Sequence, residues 1–443
     1  MARRPCQNTS RFNQLPRDIL AEIFVRCLPK VSLWPVIDGS STKDVAPLLL
    51  CNVCAMWRAV ALATPRLWQT LFLDFKRAMP KSKLMEEAVA MTHIWIGRSG
   101  ALSLTLSLRV KQYGDNRALG EAMLNALLNY ELRWEHVGFY DLPIPPSQLE
   151  HMPCLRTLIM SAFKGTRFPF ASCPKLASIR WRFKSAVSSA PLPWHRLTHI
   201  HLYGYTSTPD MIFVIRSCPK LIDLNVMLDD VDEVPESLES REIVVNKSLR
   251  KLDICVFQPC NPLLRRLTLP ALTDIRIELP PPVMGIQKEL LSLFSRSKCK
   301  LNRMSLENCG FDDVELLECL KHDSCTDLMD LKISGTYSDS PMFTDSVLLA
   351  LTDMRPVENN LLLPKLACLL LESCLDGSPG KLGTMILSRC TSQDEAVQLK
   401  HLNVYSANID EQDVLLLELA KSRGLDVSID LAEDGFLLAQ SVY

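Results

Sequence analysis

The stretch that decides the fold runs from Leu155 to Leu202, where one six-residue pattern occurs three times. The copies are Leu155-x-x-Leu158-x-Met160, Leu176-x-x-Ile179-x-Trp181 and Leu197-x-x-Ile200-x-Leu202, and they begin 21 residues apart. The last two apolar residues of each copy lie two apart, so they share one face of a β-strand, whose side chains alternate. A short strand of this kind cannot cover its own apolar face, and neighbouring copies must stack on it. The pattern therefore predicts adjacent strands over a continuous core.

Further copies of the pattern occur on both sides of this stretch. One begins at Trp134, and the later ones begin at Leu221, Leu249, Leu272, Leu301, Leu328, Leu366 and Leu399. Their intervals run from 21 to 38 residues, which resembles the period of about 20–29 residues in leucine-rich repeats. Two copies also place cysteine, Cys309 and Cys374, where those repeats usually carry Asn or Cys. The resemblance implies an α/β fold in which residues 73–443 form an irregular leucine-rich-repeat solenoid (horseshoe) that includes its N-terminal cap.

The segments between the copies carry apolar residues at helical spacing, which predicts helices on the other side of the repeats. These predicted helices cover residues 83–96, 119–130, 287–296, 312–320, 345–354 and 411–421. Thr208 followed by Pro209 predicts one more helix start, with Thr208 as the N-cap. Strand and helix should therefore alternate along the chain.

The N-terminal part of the chain has a different pattern. Pro16 precedes apolar residues at helical spacing, and Asp18 in the same first turn favours the positive end of a helix dipole. A polar loop and a second apolar run from Leu48 to Ala61 follow, and Pro65-Arg66-Leu67-Trp68 closes the block. Three short helices of this kind bury little surface and leave apolar area exposed, which usually marks a protein interface.

This block resembles an F-box, in the F-box-like form that is abundant in mushroom-forming fungi. The resemblance covers residues 11–72 closely and later runs such as Leu192-Pro193-Trp194 more loosely. It implies a three-helix module that binds the Skp-family adaptor of a cullin–RING ubiquitin ligase. The residues on the family's apolar positions are Leu15, Pro16, Ile19, Leu20, Ile23, Val53, Trp57 and Leu67. The long loop between Leu28 and Leu48 departs from the family's pattern.

By this resemblance we expect a non-catalytic substrate receptor of a Skp–cullin–F-box ubiquitin ligase, which directs a target protein to ubiquitin-dependent degradation. The expected partners are the Skp-family adaptor, through it a cullin, and an unknown target protein. A scaffold that uses the same module outside ubiquitin transfer remains open, and so does an enzyme hidden in the repeats. The target would bind outward-facing strand residues, first among them Arg180, Arg182, His199, His201, Tyr203, Asp223 and Asn225. The outward positions continue through Asp253, Arg276, Glu307, Lys332 and Glu372.

Composition argues against several other classes of protein. The formal net charge of −1 offers no general attraction to nucleic acid or to an anionic membrane. No uninterrupted apolar stretch reaches the ~20 residues of a membrane span, and no secretory signal is visible. The 16 cysteines in so long a chain indicate reduced thiols in a cytoplasmic and/or nuclear protein rather than a disulfide framework.

Catalytic and metal-binding motifs are also missing from the sequence. The histidines at 195, 199 and 201 have no Cys or carboxylate nearby at zinc spacing, and Cys51-x-x-Cys54 is a lone pair. Cys319, His322 and Cys325 form the densest remaining group. No nucleophile elbow, phosphate-binding glycine loop or zinc-protease motif occurs. We therefore expect no cofactor, no metal and no catalytic residue.

Overall fold

The computed structural model describes most of the chain between residues 15 and 430. The described ranges are 15–29, 45–75, 82–110, 116–140, 152–161, 173–182, 187, 192–228, 242–256, 261–279, 286–335, 342–353, 361–390, 398–406 and 409–430. Most of the predicted long loop between Leu28 and Leu48 lies outside them. The fold is mixed α/β, and the chain divides into two compact units, residues 1–185 with 189–193 and residues 186–188 with 194–443.

The first unit begins with helices and continues as a parallel sheet. Its helices and strands are α1 (Arg17–Arg26), α2 (Leu48–Val53), α3 (Ala55–Leu62), β1 (Thr70–Phe75), α4 (Ser82–Arg98), β2 (Leu104–Val110), α5 (Asn116–Leu128), β3 (Trp134–Tyr140), β4 (Thr157–Ser161) and β5 (Ser178–Arg182). A 3₁₀ turn, Pro65–Leu67, connects α3 to β1. Strands β1 to β5 pair in chain order, each parallel to the next.

The second unit contains both strands and helices to the end of the described chain. Its elements are β6 (His199–Thr206), α6 (Thr208–Ser217), β7 (Asp223–Leu228), β8 (Val244–Val245), β9 (Lys251–Val256), α7 (Asn261–Arg265), β10 (Leu267–Thr268), β11 (Asp274–Glu278), α8 (Gln287–Ser297), β12 (Arg303–Glu307), α9 (Asp313–Leu320), β13 (Asp330–Ser334), β14 (Phe343–Thr344), α10 (Asp345–Leu351), β15 (Cys368–Glu372), β16 (Leu375–Asp376), α11 (Lys381–Cys390), β17 (His401–Tyr405), α12 (Glu411–Ser422) and β18 (Asp426–Asp430). The main sheet has the order β6-β7-β9-β11-β12-β13-β15-β17-β18, and β8 with β10 and β14 with β16 form small parallel pairs.

The sheet register aligns the repeated apolar positions in rows that form the core. Leu224 of β7 pairs with Leu252 of β9, and Met304 of β12 pairs with Leu331 of β13. All four side chains are buried, and each burial stabilises the fold by roughly 1.5–3 kcal/mol relative to exposure. Strands therefore form where the sequence pattern predicts them.

Three strands lie beyond the predicted copies, β1 and β2 in the first unit and β18 in the second. β1 follows Trp68-x-x-Leu71-x-Leu73, and it begins at Thr70, inside the last three residues of the predicted 11–72 module. β18 pairs with β17 so that Val427 lies opposite Leu402. That register puts Gly424 at the position of the first leucine, and the missing leucine explains why the pattern did not predict β18.

Helix positions agree with the periodicity to within a few residues, with three differences. α6 has Ser207 and not Thr208 as its N-cap, because the Ser207 hydroxyl accepts a hydrogen bond from the Asp210 amide. Helices α7 and α11 were not predicted. Within the described ranges, no helix has both the length and the apolarity needed to cross a bilayer.

Candidate protein-binding surfaces

Helix α1 has one buried and one exposed apolar side. Leu20 and Phe24 are one turn apart and buried, and they hold the helix against its neighbours. Ile19 is 51% exposed and Ile23, one turn later, is 36% exposed. Pro16, directly before the helix, is exposed as well. The helix therefore presents isoleucine side chains to solvent while leucine and phenylalanine form the core.

Helices α2 and α3 also leave large apolar side chains exposed. Leu49 and Val53 lie one turn apart on α2 and are exposed, and Leu62 is exposed at the end of α3. We call Ile19, Ile23, Leu49, Val53 and Leu62 the exposed apolar set. Such side chains are stabilised when a second protein covers them.

Trp57 is half-buried and connects α3 to α1. Its ring lies 4.9 Å from the ring of Phe24, centroid to centroid. The backbone at Cys54 is extended between α2 and α3, and the Cys54 sulfur accepts a hydrogen bond from the Trp57 amide. The Arg58 side chain donates to the Cys51 carbonyl at 2.7 Å. These contacts set the angle at which α3 follows α2.

The structure corrects the predicted adaptor-binding residues in two places. Leu20 and Leu67 are buried, so neither can touch a partner. Both side chains belong to the core on which α1–α3 pack, because they lie on the side that the chain itself covers. Leu15 and Trp57 are half-buried, while Pro16, Ile19, Ile23 and Val53 are exposed.

Polar and aromatic contacts hold these helices in place. Arg66 in the 3₁₀ turn donates to Glu22 of α1 at 2.7 Å. The buried Trp68 donates its indole N–H to the Ala61 carbonyl at 2.9 Å and packs edge-on against Trp95 of α4, with 4.8 Å between ring centroids. The Arg98 guanidinium lies 4.5 Å from the Trp68 ring centroid. One tryptophan therefore links α3 to α4.

The predicted target-binding residues lie on strands of both units. Arg180 on β5 and His199 on β6 are exposed, and His201, Tyr203, Asp223 and Asn225 are half-buried. Arg182 is the last residue of β5, and its side chain lies outside the description. His199 Nδ1 is 2.9 Å from the Thr198 hydroxyl. All of these side chains with described burial alternate with buried apolar residues, as predicted.

Across five adjacent strands of the second unit, β7, β9, β11, β12 and β13, the first outward position alternates in charge. Asp223, Lys251, Asp274, Arg303 and Asp330 are successive register partners across five strands. Arg303 Nε lies 3.9 Å from Asp274 Oδ1 and 3.4 Å from Asp330 Oδ2. Opposite charges on adjacent strands stabilise a sheet modestly.

A more tightly connected group, which we call the charge ladder, consists of Asp253, Arg276, Glu278, Glu307, Lys332 and Glu372. Arg276 contacts three carboxylates, Glu307 at 2.7 Å, Glu278 at 2.7 Å and Asp253 at 3.2 Å. Lys332 Nζ lies 3.1 Å from Glu307 and 3.6 Å from Glu372. At its other end, Asn225 donates to Asp253 at 2.7 Å.

The contacts in the charge ladder shift the pKa values of its own members. Burial raises the pKa of the Glu307 carboxyl, but hydrogen bonds and charge from Arg276, with help from Ser305 and Lys332, outweigh burial and lower that pKa to about 2. Burial raises the pKa of Asp253 above its ordinary value even though Arg276 opposes the shift. Arg276 loses some solvation, yet its carboxylate neighbours raise its pKa further. Glu307 is therefore ionised throughout the neutral range.

The sequence predicts most members of the charge ladder as outward residues. It did not predict Glu278 or the ion pairs that connect the members. The available signal was the alternation Asp274-x-Arg276-x-Glu278 on β11, which puts all three on the outward side. Which carboxylate each cation reaches depends on the strand order, and the sequence pattern does not specify the order.

Cys319, His322 and Cys325, the densest Cys/His group in the sequence, are core or capping residues. Cys319 and Cys325 are buried, and the Cys325 thiol donates to the Cys319 carbonyl. Burial raises the pKa of the Cys325 thiol to about 12, so it stays protonated. His322 Nδ1 accepts a hydrogen bond from the Ser324 amide. Among the described residues, no group of three or more His, Cys, Asp or Glu is placed to hold a metal ion.

Comparison with known proteins does not assign this chain to a family. It matches no protein-family model, and a search of curated proteins finds no match.

Proposed function

We propose that this chain is the substrate-recognition subunit of a Skp–cullin–F-box ubiquitin ligase. In this proposal, helices α1–α3 form an F-box-like module that binds the Skp-family adaptor. The strands and helices that follow form a leucine-rich-repeat solenoid, whose outward strand positions bind a target protein. The chain contributes proximity and orientation between target and conjugating enzyme and performs no chemistry itself.

The observation that carries the proposal is the exposed apolar set. Ile19, Ile23 and Val53, which occupy apolar positions of the F-box-like pattern, are exposed, while Leu20 and Phe24 on the inner side of α1 are buried. Isolated exposed apolar residues are common on protein surfaces, but five on three consecutive short helices favour an interface.

The repeated strands supply the second support. Each sequence copy from Trp134 onward leads into one strand of the parallel sheet of its own unit, and helices separate many of them. Strands that recur about every 20–29 residues, with helices between them, are typical of leucine-rich repeats, and repeats of this kind offer extended surfaces to protein ligands.

Co-purification with a Skp-family adaptor tests the proposal. Wild-type chain should bind the adaptor, and Ile19→Asp with Ile23→Asp should weaken binding by at least about 100-fold, because two charged groups would be buried without partners. The matched control is Val314→Asp with Leu349→Asp, which changes two exposed apolar residues on α9 and α10. It should leave adaptor binding unchanged.

Two results would contradict the proposal. One is a wild-type chain that folds but does not bind the adaptor, and the other is an Ile19/Ile23 variant that binds as well as the control. An adaptor complex that never contains a cullin would favour a scaffold acting outside ubiquitin transfer.

A further inference from the structure

The outward side of the second unit's main sheet carries an excess of negative charge. The outward strand positions whose side chains the structure describes hold eight carboxylates and four cations, which is a net charge of −4 with histidine neutral. The carboxylates are Asp223, Asp253, Asp274, Glu278, Glu307, Asp330, Glu372 and Asp426, and the cations are Lys251, Arg276, Arg303 and Lys332. We call this surface the strand face. The whole chain has a formal charge of only −1, so this acidic excess is not a property of the chain as a whole.

The cations of the strand face are shared among too many carboxylates to neutralise them. Arg276, Arg303 and Lys332 together contact six carboxylates, and Glu307 is held by two of the three cations. Three positive charges against six negative charges leave this network three cations short.

Two glutamates are also placed where like charges repel. Glu278 of β11 and Glu307 of β12 are direct register partners, and like charges opposite one another destabilise a sheet. Arg276 contacts both and offsets part of that repulsion. The side chains of Glu278 and Glu372 remain about one-third exposed, so their oxygens are accessible to a further cation from solvent.

We propose that the strand face binds a protein segment rich in arginine and lysine, whose cations occupy the space beside Glu278, Glu307 and Glu372. Charge complementarity selects this partner, because each added cation supplies the positive charge that the network lacks. The carboxylates are already held by their hydrogen bonds, so binding costs them little conformational entropy. The inference rests on the proposed function only in naming that segment part of a degradation target.

Fluorescence anisotropy with two labelled synthetic peptides tests the charge selection. One peptide alternates arginine and serine over about ten residues, and the other alternates glutamate and serine over the same length. The full chain should bind the arginine peptide and not the glutamate peptide. Binding should weaken steeply between 0.05 and 0.5 M salt, because the Debye length is about 10 Å at 0.1 M and shortens further. Equal binding of both peptides would overturn the inference.

Substitutions locate the binding on the strand face. Glu278→Gln with Glu372→Gln removes two partly exposed carboxylates and leaves Glu307 in place, and we expect about tenfold weaker peptide binding. The matched control is Glu411→Gln with Glu418→Gln, which removes two exposed carboxylates from α12. Equal losses in the two variants would overturn the proposed location. If the first variant does not fold, Asp223→Asn with Asp426→Asn on other strands of the same face provides the comparison.

Adaptor binding measured on the same preparations separates this inference from the proposed function. The Glu278/Glu372 variant should bind the Skp-family adaptor like wild type, since the exposed apolar set is unchanged. If the wild-type chain does not bind the adaptor but still selects the arginine peptide, the ligase role is contradicted and the basic partner is supported. If it binds the adaptor but does not distinguish the peptides, the ligase role is supported and the basic partner is contradicted.

Discussion

The exposed apolar set on α1–α3 and the strand face of the second unit are two different kinds of surface. The apolar side chains of that set are 36–53% exposed to water, whereas Arg276, Arg303 and Lys332 each contact two or more carboxylates. Covering apolar groups is strongly favourable and nearly independent of salt, while exposed ion pairs contribute about 0–1 kcal/mol each and are screened. The first surface is suited to a permanent contact and the second to a selective, salt-sensitive one.

The largest expected effect separates the buried from the exposed side of α1. Phe24→Ala should lower the free energy of unfolding by about 3–5 kcal/mol, because it removes a fully buried ring and its contact with Trp57. Ile23→Ala on the exposed side should change it by less than about 0.5 kcal/mol. Denaturant unfolding followed by tryptophan fluorescence measures both. Similar losses in the two variants would mean that Ile23 belongs to the core.

The pH dependence of stability should reveal the charge ladder. The Glu307 carboxyl titrates near 4.5 when unfolded and near 2 when folded. Its stabilisation is therefore present above about pH 4.5 and disappears as pH falls toward 2, by at most about 3 kcal/mol. The raised pKa of Asp253 acts in the opposite direction, with stability lost as pH rises through it.

Glu307→Gln checks the sign of this effect. Denaturant midpoints of wild type and variant should converge as pH falls from 4.5 toward 2, because the wild type loses what the variant already lacks. The exposed Glu411→Gln variant should retain the wild-type profile. A constant difference between wild type and Glu307→Gln across this pH range would contradict the ion-pair account.

A smaller effect should distinguish the charge ladder from the first outward positions of the strands, where the charges alternate. Arg276→Met should lower the free energy of unfolding by about 1–2 kcal/mol, since three carboxylates lose a common cation in a partly buried place. Arg303→Met, whose side chain is 66% exposed, should cost less than about 0.5 kcal/mol. Thermal unfolding at low and high salt tests this order, and it would fail if Arg303→Met were the more harmful change.

Helix α11 shows why periodicity missed part of the fold. Gly383, inside the helix, lowers its helix propensity, and its apolar residues alone gave no clear prediction. The structure explains Gly383, because a Cβ there would lie 2.4 Å from the Leu416 Cβ of α12. Gly383 therefore allows α11 and α12 to pack closely. The sequence pattern cannot show this requirement, because it depends on where α12 lies. Strand β18 was missed for a related reason, since Gly424 replaces the leucine that marks the other copies.

The candidate surfaces were predictable to different degrees. Alternation along a strand was enough to name Arg276 and Glu307 as outward residues. It could not show that Arg276 contacts Glu278, Glu307 and Asp253 together, because that depends on which strands pair and in which register. On α1 the helical spacing placed both Ile19 and Leu20 on an apolar face. It could not show which of the two side chains the chain itself buries.

The spacing of leucines along the chain determined the strands, because side chains alternate on a strand and each apolar row needs a neighbour to cover it. The apolar pattern at the N-terminus likewise determined short helices. Only the tertiary structure decided that Leu20 and Leu67 are buried while Ile19 and Val53 are exposed. It also decided which carboxylates share a cation. Burial and ion pairing depend on distances between residues far apart in sequence, and local pattern does not encode those distances.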